Sequence, residues 1–261
     1  MEIIDALVLG LVQGLTEFIP VSSSGHLVII DAFTKIRSEF DFDVLINIGT
    51  LLALVIYFKA VIVEIITHIT RERDYKLLRN IVLSTIPAVV IGGLWSDLLE
   101  GIRVGPVTIA MLLFVGIIMV VISKVKLPEQ FSRTNDLPYM RAILIGFAQA
   151  LALIPGTSRS GATIIAGRLA GFNYKRAAEY SFMIAIPVMF GAIMRTLLTP
   201  EGQTFALNNL VPLILGNIVA FASGYFAINF MIGHLQKKGL AVFGWYRIAL
   251  ALVLILVSVV K

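Results

Sequence analysis

Apolar runs about as long as a lipid bilayer is thick recur along this sequence, and they restrict its fold more than any other feature. An α-helix needs about 20 such residues to cross the hydrocarbon core. The composition agrees, because 58% of the 261 residues are hydrophobic and only 14% are charged, whereas soluble domains carry roughly 25% charged residues. The sequence therefore predicts an all-α polytopic integral membrane protein rather than a β-barrel, whose strands alternate in polarity. The predicted crossings are 44–66, 81–95, 106–123, 179–198, 210–232 and 245–260.

Two polar interruptions divide the rest of the apolar sequence into short pairs. Segments 3–19 and 27–33 are separated only by PVSSSGH, and segments 141–155 and 162–172 only by GTSRSG. A polar gap this short cannot pass through a headgroup layer twice. Each pair is therefore predicted to be re-entrant, with a break in the backbone near the midplane. Such a break requires burial in protein or a wet cavity.

The charged residues indicate the orientation of the helices and exclude nucleic acid as a partner. The net charge is +5, but the basic residues lie in short loops between apolar segments, as the positive-inside rule describes. If the two re-entrant pairs do not cross, the basic loops 67–80, 124–141, 173–178 and 233–244 fall on one side. We expect that side to be cytoplasmic. The sequence contains no cysteine, which excludes disulfides and thiolate chemistry.

The two interruptions also resemble each other. Identical residues recur 136 positions apart, so the sequence predicts a single membrane domain, 1–261, made of two repeats of about 1–135 and 136–261. Each half would hold a re-entrant helix pair plus three transmembrane helices. An odd number of crossings makes this an inverted-topology repeat, as in secondary transporters, and brings the two polar loops together. The matching pairs are Gly10 and Gly146, Gln13 and Gln149, Ser22 and Ser158, Ser24 and Ser160, and Gly25 and Gly161.

An acid lies inside the first re-entrant pair. Glu17 is four residues after Gln13, so the two side chains share one helix face. An ionisable residue at membrane depth is a functional candidate, because its burial is costly without a partner. The alternative is a glutamate at a helix end that points into the headgroups. Asn47, on the first full crossing, is a further candidate for lining the same cavity.

A serine triplet and a histidine follow this acid. Any one of Ser22, Ser23 and Ser24 is an ordinary cap for the helix that comes next. Three in a row exceed what a cap needs, and His26 lies in the first turn of that helix. Together with the carboxylate, they could supply a base, an orienting group and a nucleophile. A structural role for His26 is the alternative.

The second loop, PGTSRSGAT, is typical of an anion site. The backbone N–H groups and the dipole at a helix start favour an anion, and Arg159 adds a planar fork suited to phosphate oxygens. An ion pair between Arg159 and Glu17 is the alternative, and it would also serve as the resting state of the same site. The other candidates in this loop are Gly156, Thr157, Ser158, Ser160 and Gly161.

These groups favour phosphoryl transfer, in which positioning and charge neutralisation supply most of the catalysis. No Walker loop is present, so a nucleotide-driven motor is not indicated. A site at membrane depth points to a lipid substrate that carries phosphate. The alternative function is a lipid flippase or secondary transporter, because inverted repeats with broken helices are transporter architecture.

The paired motifs QGLTEFIPVSSSGH and PGTSRSGAT resemble those of the undecaprenyl-diphosphate phosphatase family of bacterial membranes, which is also known for bacitracin resistance. The resemblance covers essentially the whole chain, including NIGTLLAL and AEYSFMIAIP. It implies hydrolysis of undecaprenyl diphosphate to the monophosphate and inorganic phosphate, which recycles the lipid carrier for cell-wall synthesis. It also implies a divalent cation, Mg²⁺ or Ca²⁺. We further expect the bacterial cell membrane, a site open to its outer face, and a homodimer.

The resemblance also assigns roles to residues. Ser23 and His26 take the positions proposed for the nucleophile and its partner, and Glu17 is the expected acid and cation ligand. Gln13 stands where some members have a second glutamate, so a mechanism that needs two acids there is in doubt. Whether Ser23 attacks phosphorus or positions a water stays open. The phosphate-binding positions are taken by Ser158, Arg159 and Thr163.

Overall fold

The computed structural model describes residues 1–34, 36, 39–94 and 106–260, without the side chains of 28, 31–33 and 258–260. The described residues form α-helices, a short π-helix (His68–Glu72), a short 3₁₀-helix (Thr134–Asp136) and connecting loops, and an isolated bridge joins Phe131 to Phe172. The helices are α1 (Ile3–Phe18), α2 (Ser23–Phe33), α3 (Phe40–Leu45), α4 (Asn47–Tyr57), α5 (Lys59–Thr67), α6 (Lys76–Leu94), α7 (Pro106–Lys124), α8 (Tyr139–Leu151), α9 (Arg159–Leu169), α10 (Tyr174–Leu198), α11 (Pro200–Asn208), α12 (Leu210–Lys238) and α13 (Ala241–Val260).

The prediction of an all-α polytopic membrane protein is confirmed. In the described part of the chain, five helical stretches are long and apolar enough to cross a bilayer. The sixth predicted crossing corresponds to α13, whose apolar part Ala241–Val257 lies at the lower limit of the required length. The five stretches are Phe40–Tyr57, Lys76–Leu94, Pro106–Lys124, Tyr174–Leu198 and Leu210–Lys238.

The first crossing differs from its prediction as one unbroken segment, 44–66. It begins at Phe40 and is interrupted at Ile46 and Phe58. At the first interruption, the side-chain amide of Asn47 donates to the backbone carbonyl of Asp43 at 2.7 Å. Asparagine side chains compete in this way with the backbone hydrogen bonds of a helix.

The four helices of the two predicted re-entrant pairs are short. α1 has 16 residues, α2 and α9 have 11, and α8 has 13. The second helices begin earlier than predicted, at Ser23 and Arg159, because a serine caps each of them. Ser22 accepts a hydrogen bond from the Gly25 N–H at 3.2 Å, and Ser158 caps α9 with the same geometry. The first turns of both helices therefore belong to the polar loops.

The two halves correspond in local conformation and in packing. Ser22 and Ser158 both adopt positive φ, 75° and 69°, which is uncommon for residues other than glycine. α1 packs against α12, α8 packs against α6, and α7 packs against α13. Gly10 and Gly146 permit the first two contacts, because a Cβ there would collide with the neighbouring helix. Reciprocal packing of this kind supports two related halves; their inverted orientation stays a prediction.

An aromatic cluster holds the C-terminal end of α1 in the core. Phe18 is fully buried and lies edge-to-face with Phe182 of α10, with ring centroids 5.5 Å apart. Phe58 is also edge-to-face with Phe182, with ring centroids 6.5 Å apart. Such aromatic pairs add to the packing that locks a helix in place. The residue before Phe18 is Glu17, so this cluster positions the predicted acid.

Candidate active site

A cavity of about 1090 Å³ lies between the two polar loops. Its walls also come from α6 and α10, and both polar and apolar side chains line it. The structure therefore brings together loops that are more than a hundred residues apart in sequence. The predicted site residues that line this cavity are Glu17, Ser22, Ser23, Ser24, Ser158 and Arg159.

Glu17 and Arg159 form an ion pair across this cavity. An Nη atom of Arg159 lies 2.8 Å from a carboxylate oxygen of Glu17, and the two side chains are 14% and 12% exposed. The ion pair considered as an alternative is therefore present, while a Glu17 extended into the headgroups is not. The other Nη atom of Arg159 is buried and has no hydrogen-bond partner in the described residues.

Two further groups bind the second carboxylate oxygen of Glu17. The Ser23 hydroxyl donates to it at 3.0 Å, and the Gln13 amide donates at 2.8 Å. The other N–H of that amide donates to the side-chain oxygen of Asn47, also at 2.8 Å. Gln13 therefore holds the Glu17 carboxylate in place, and as an amide it adds no second acid to the site. A serine hydroxyl bound to a carboxylate is the geometry of a nucleophile with its base.

The other two serines of the triplet hold the loops together. Ser22 is 1% exposed, and its hydroxyl caps α2. The Ser24 hydroxyl accepts a hydrogen bond from the backbone N–H of Gly156 at 3.3 Å and lies 3.1 Å from the Ser22 hydroxyl. Of the three hydroxyls, that of Ser23 is the one bound to the acid.

His26 occupies a different position from the one its predicted role requires. One ring nitrogen lies 2.8 Å from the Ser22 carbonyl and the other 2.7 Å from the Tyr246 hydroxyl. The two rings also stack, with centroids 5.7 Å apart. With both nitrogens engaged, His26 makes no hydrogen bond to Ser23 in the described structure. The geometry favours Glu17 over His26 as the group that takes a proton from Ser23.

Some residues of the second loop line the cavity, and the others pack behind them. Ser158 and Arg159 face the cavity. Gly156 turns the backbone at φ 88°, where a Cβ would strike the backbone of Thr108. Thr163 is 1% exposed, and its hydroxyl contacts the Arg159 carbonyl and the Ser181 hydroxyl rather than the cavity. The three other predicted residues are packed behind the lining: Thr157, Ser160 and Gly161.

Arg247 is a residue of this region that the sequence analysis missed. It is fully buried, and its guanidinium donates to the carbonyls of Pro20 in the first loop and of Gly156 and Thr157 in the second. It also donates to the Met111 carbonyl of α7. One side chain therefore binds both breaks in the backbone. An arginine within the apolar segment 245–260 is itself an intramembrane charge, which is the signal that would have identified it.

Comparisons with known proteins show the family of this chain. Residues 6–253 match the family model for the bacitracin resistance protein BacA. The chain is 38% identical to the undecaprenyl-diphosphatase of Limosilactobacillus fermentum, covering 98% of this chain and 97% of that one. It is 37% identical to the undecaprenyl-diphosphatase of Acetivibrio thermocellus over the same shares, and 36% identical to that of Enterococcus faecalis over 96% and 95%. The chain belongs to the bacitracin resistance protein BacA family.

Proposed function

We propose that this protein hydrolyses undecaprenyl diphosphate to undecaprenyl phosphate and inorganic phosphate, which returns the lipid carrier to cell-wall synthesis. One observation carries the proposal: the Glu17 carboxylate lies between the Ser23 hydroxyl and the Arg159 guanidinium in a cavity lined by both polar and apolar side chains. The family match and the names of the relatives support the same reaction. Bacitracin resistance is in the family's name.

The free Nη group of Arg159 is the first contact that we propose for the diphosphate. A buried donor without a partner costs about 1–3 kcal/mol, and a phosphate oxygen would satisfy it. Arg159 also lies in the first turn of α9, where the first backbone N–H groups lack acceptors within the helix, although that of Gly161 is capped by Ser158. Phosphate oxygens bind well at such helix starts.

Ser23 and Glu17 then carry out the chemistry. The Ser23 hydroxyl gives its proton to Glu17 while its oxygen attacks the terminal phosphorus, and the bond from that phosphorus to the bridging oxygen breaks. Undecaprenyl phosphate leaves and takes up the proton from Glu17. Water next attacks the phosphoserine and gives a proton to Glu17, which returns it to the Ser23 oxygen as the bond from Ser23 to phosphorus breaks and inorganic phosphate leaves. In the alternative route, Ser23 and Glu17 position and deprotonate a water that attacks directly. In both routes, protonation of Glu17 frees the charge of Arg159 to stabilise the phosphate.

A divalent cation fits this site if Glu17 and the substrate phosphate hold it together. In the described part of the chain, no three His, Cys, Asp or Glu side chains cluster to form a cation cage. Mg²⁺ commonly binds through one or two carboxylates together with substrate phosphates. Glu17 would supply the carboxylate for Mg²⁺ or Ca²⁺, with the Ser23 oxygen nearby. The ion would neutralise phosphate charge.

The cavity supports a site that opens to the outer face of the cell membrane. It is lined by the C-terminal parts of α6 and α10, around Gly93 and Arg195. Both helices start from basic loops, 67–80 and 173–178. If those loops are cytoplasmic, the opposite ends of both helices lie toward the outside.

The test is phosphate release from undecaprenyl diphosphate by protein in detergent, with and without EDTA. We expect wild type to be active and Glu17→Ala and Arg159→Ala to lose at least about 2 kcal/mol of transition-state stabilisation, roughly 30-fold. Arg176→Ala is a matched control, because Arg176 pairs with Glu179 on α10 rather than with the cavity. A wild type that releases no phosphate rules out the function. An Arg159→Ala variant within a few fold of wild type removes that arginine from the site.

A lipid flippase or transporter is the second candidate, and the reciprocal packing of α1 with α12 and α8 with α6 favours it. Transport does not need a serine bound to a carboxylate. Phosphate release in detergent, where no compartments exist, separates the two functions. Movement of the lipid across vesicles without hydrolysis would support the second.

A further inference from the structure

A second cavity, of about 440 Å³, lies between α5, α6 and α10. Thr85 is the one polar residue among those that the structure places in its lining. The Thr85 hydroxyl donates to the Ile81 carbonyl at 2.8 Å, so it presents no free polar group to the cavity. The site chemistry described above uses none of these residues. We call this cavity the apolar groove.

The apolar groove adjoins the active-site cavity. Val89 of α6 lines both. On α10, Pro187 lines the groove, and the next residue, Val188, lines the site cavity. Gly93 and Gly191 lie on the cavity side of this border, and a Cβ added at either would meet no atom within 4 Å. The two cavities therefore lie next to each other, and the lining changes from partly polar in the site cavity to almost wholly apolar in the groove.

The groove is also open along its length. Val82, Ile86 and Val90 of α6 are 48%, 48% and 49% exposed. From Leu78 to Val90 it follows α6 for about 18 Å, at 1.5 Å per residue. A molecule with a charged head in the site cavity and a long hydrocarbon chain has the same change in polarity as these two adjoining cavities.

We propose that the apolar groove binds the part of the prenyl chain nearest the diphosphate. This inference rests on the proposed function. Membrane lipid is already apolar, so the groove contributes packing and orientation rather than a hydrophobic driving force. The groove holds the prenyl chain and Arg159 holds the diphosphate. Together they place the terminal phosphorus in line with Ser23. The groove is then a specificity site for long-chain lipid diphosphates.

Filling the groove tests this proposal. In Ile86→Trp and Val82→Trp, an indole ring fills the space that the prenyl chain would occupy. Ile117→Trp is the matched control, because Ile117 of α7 is similarly exposed, at 52%, and lies outside the groove. We expect kcat/KM for undecaprenyl diphosphate to fall about tenfold in the groove variants, mainly through KM, as misfits in apolar pockets do. Turnover of dimethylallyl diphosphate, whose chain is too short to fill the groove, should stay within about twofold and reports a folded site.

The proposal is wrong if both substrates lose turnover equally, if neither does, or if the control behaves like the groove variants. A binding measurement separates it from the proposed function. Undecaprenyl monophosphate with a diazirine near its head should label 78–90 of α6 and 183–187 of α10, and Ile86→Trp should abolish that labelling. Labelling without phosphate release supports the groove and rules out the hydrolysis. Phosphate release without labelling, or equal labelling by a diazirine phospholipid, overturns the groove alone.

Discussion

The Arg159 guanidinium lies 2.8 Å from the Glu17 carboxylate, although 142 residues separate them in sequence. Both side chains are nearly buried, so each charge depends on the other for stabilisation. Because Ser23 donates to the same carboxylate, the pair joins the anion-binding loop to the nucleophile. Substrate phosphate is expected to bind the free Nη group of Arg159 first, and proton transfer from Ser23 to Glu17 then releases the rest of the guanidinium to that phosphate.

Ser23→Ala should lower kcat at least about 100-fold, because it removes the hydroxyl that the carboxylate activates. Ser22→Ala is the neighbouring control, since Ser22 caps α2 and should cost about 1 kcal/mol of stability. Steady-state kinetics and thermal unfolding in detergent measure both. Near-normal turnover of Ser23→Ala removes Ser23 from the reaction. If a rapid quench of wild type traps phosphoserine, the covalent route holds; if Ser23 is essential but no phosphoserine forms, water attacks directly.

Gln13→Glu should lower the Mg²⁺ concentration that gives half-maximal activity, because a second carboxylate beside Glu17 adds an oxygen ligand. The same change replaces the 2.8 Å hydrogen bond to Glu17 with a like-charge contact, so activity without added cation should fall. Gln13→Met is the control, since it removes the hydrogen bond but adds no charge. If both variants respond to Mg²⁺ as wild type does, no cation binds near Glu17.

Tyr246→Phe should reduce turnover by less than about fivefold, because the ring stacking on His26 persists while one hydrogen bond is lost. His26→Gln should likewise stay more active than Glu17→Gln, since His26 positions α2 and does not contact Ser23. The kcat values of the three variants decide this. A loss in His26→Gln as large as in Glu17→Gln would restore the histidine as the base.

Arg247→Met should destabilise the protein by at least about 2 kcal/mol, because backbone carbonyls of both loops lose their donor. The loops would also separate, so kcat should fall as well. Arg133→Met is the control, because Arg133 is exposed. Thermal unfolding in detergent and kcat are the measurements, and Arg247→Lys should recover part of both. An Arg247→Met variant with wild-type unfolding and kcat would contradict the role of Arg247 in holding the loops.

Patterns within the sequence were enough to predict the membrane class and the two breaks, and to propose Glu17, the serine triplet and Arg159 as candidates. The choice of Ser23 among the three serines came from the family resemblance. Apolar length predicts crossings, and polar residues at membrane depth indicate function. The same patterns misjudged the starts of α2 and α9 by a few residues, because a serine cap can lie inside an apparent loop. The family resemblance gave Thr163 a phosphate-binding position, although its hydroxyl contacts the hydroxyl of Ser181.

Local composition determined that this chain lies in a membrane and where its helices break, because both follow from the hydropathy of neighbouring residues. Only the tertiary structure decided which groups meet. Arg247 reaches Pro20 across 227 residues, and His26 reaches Tyr246 across 220. Contacts between residues so far apart in sequence depend on how whole helices pack. The hydropathy or spacing of neighbouring residues does not specify them.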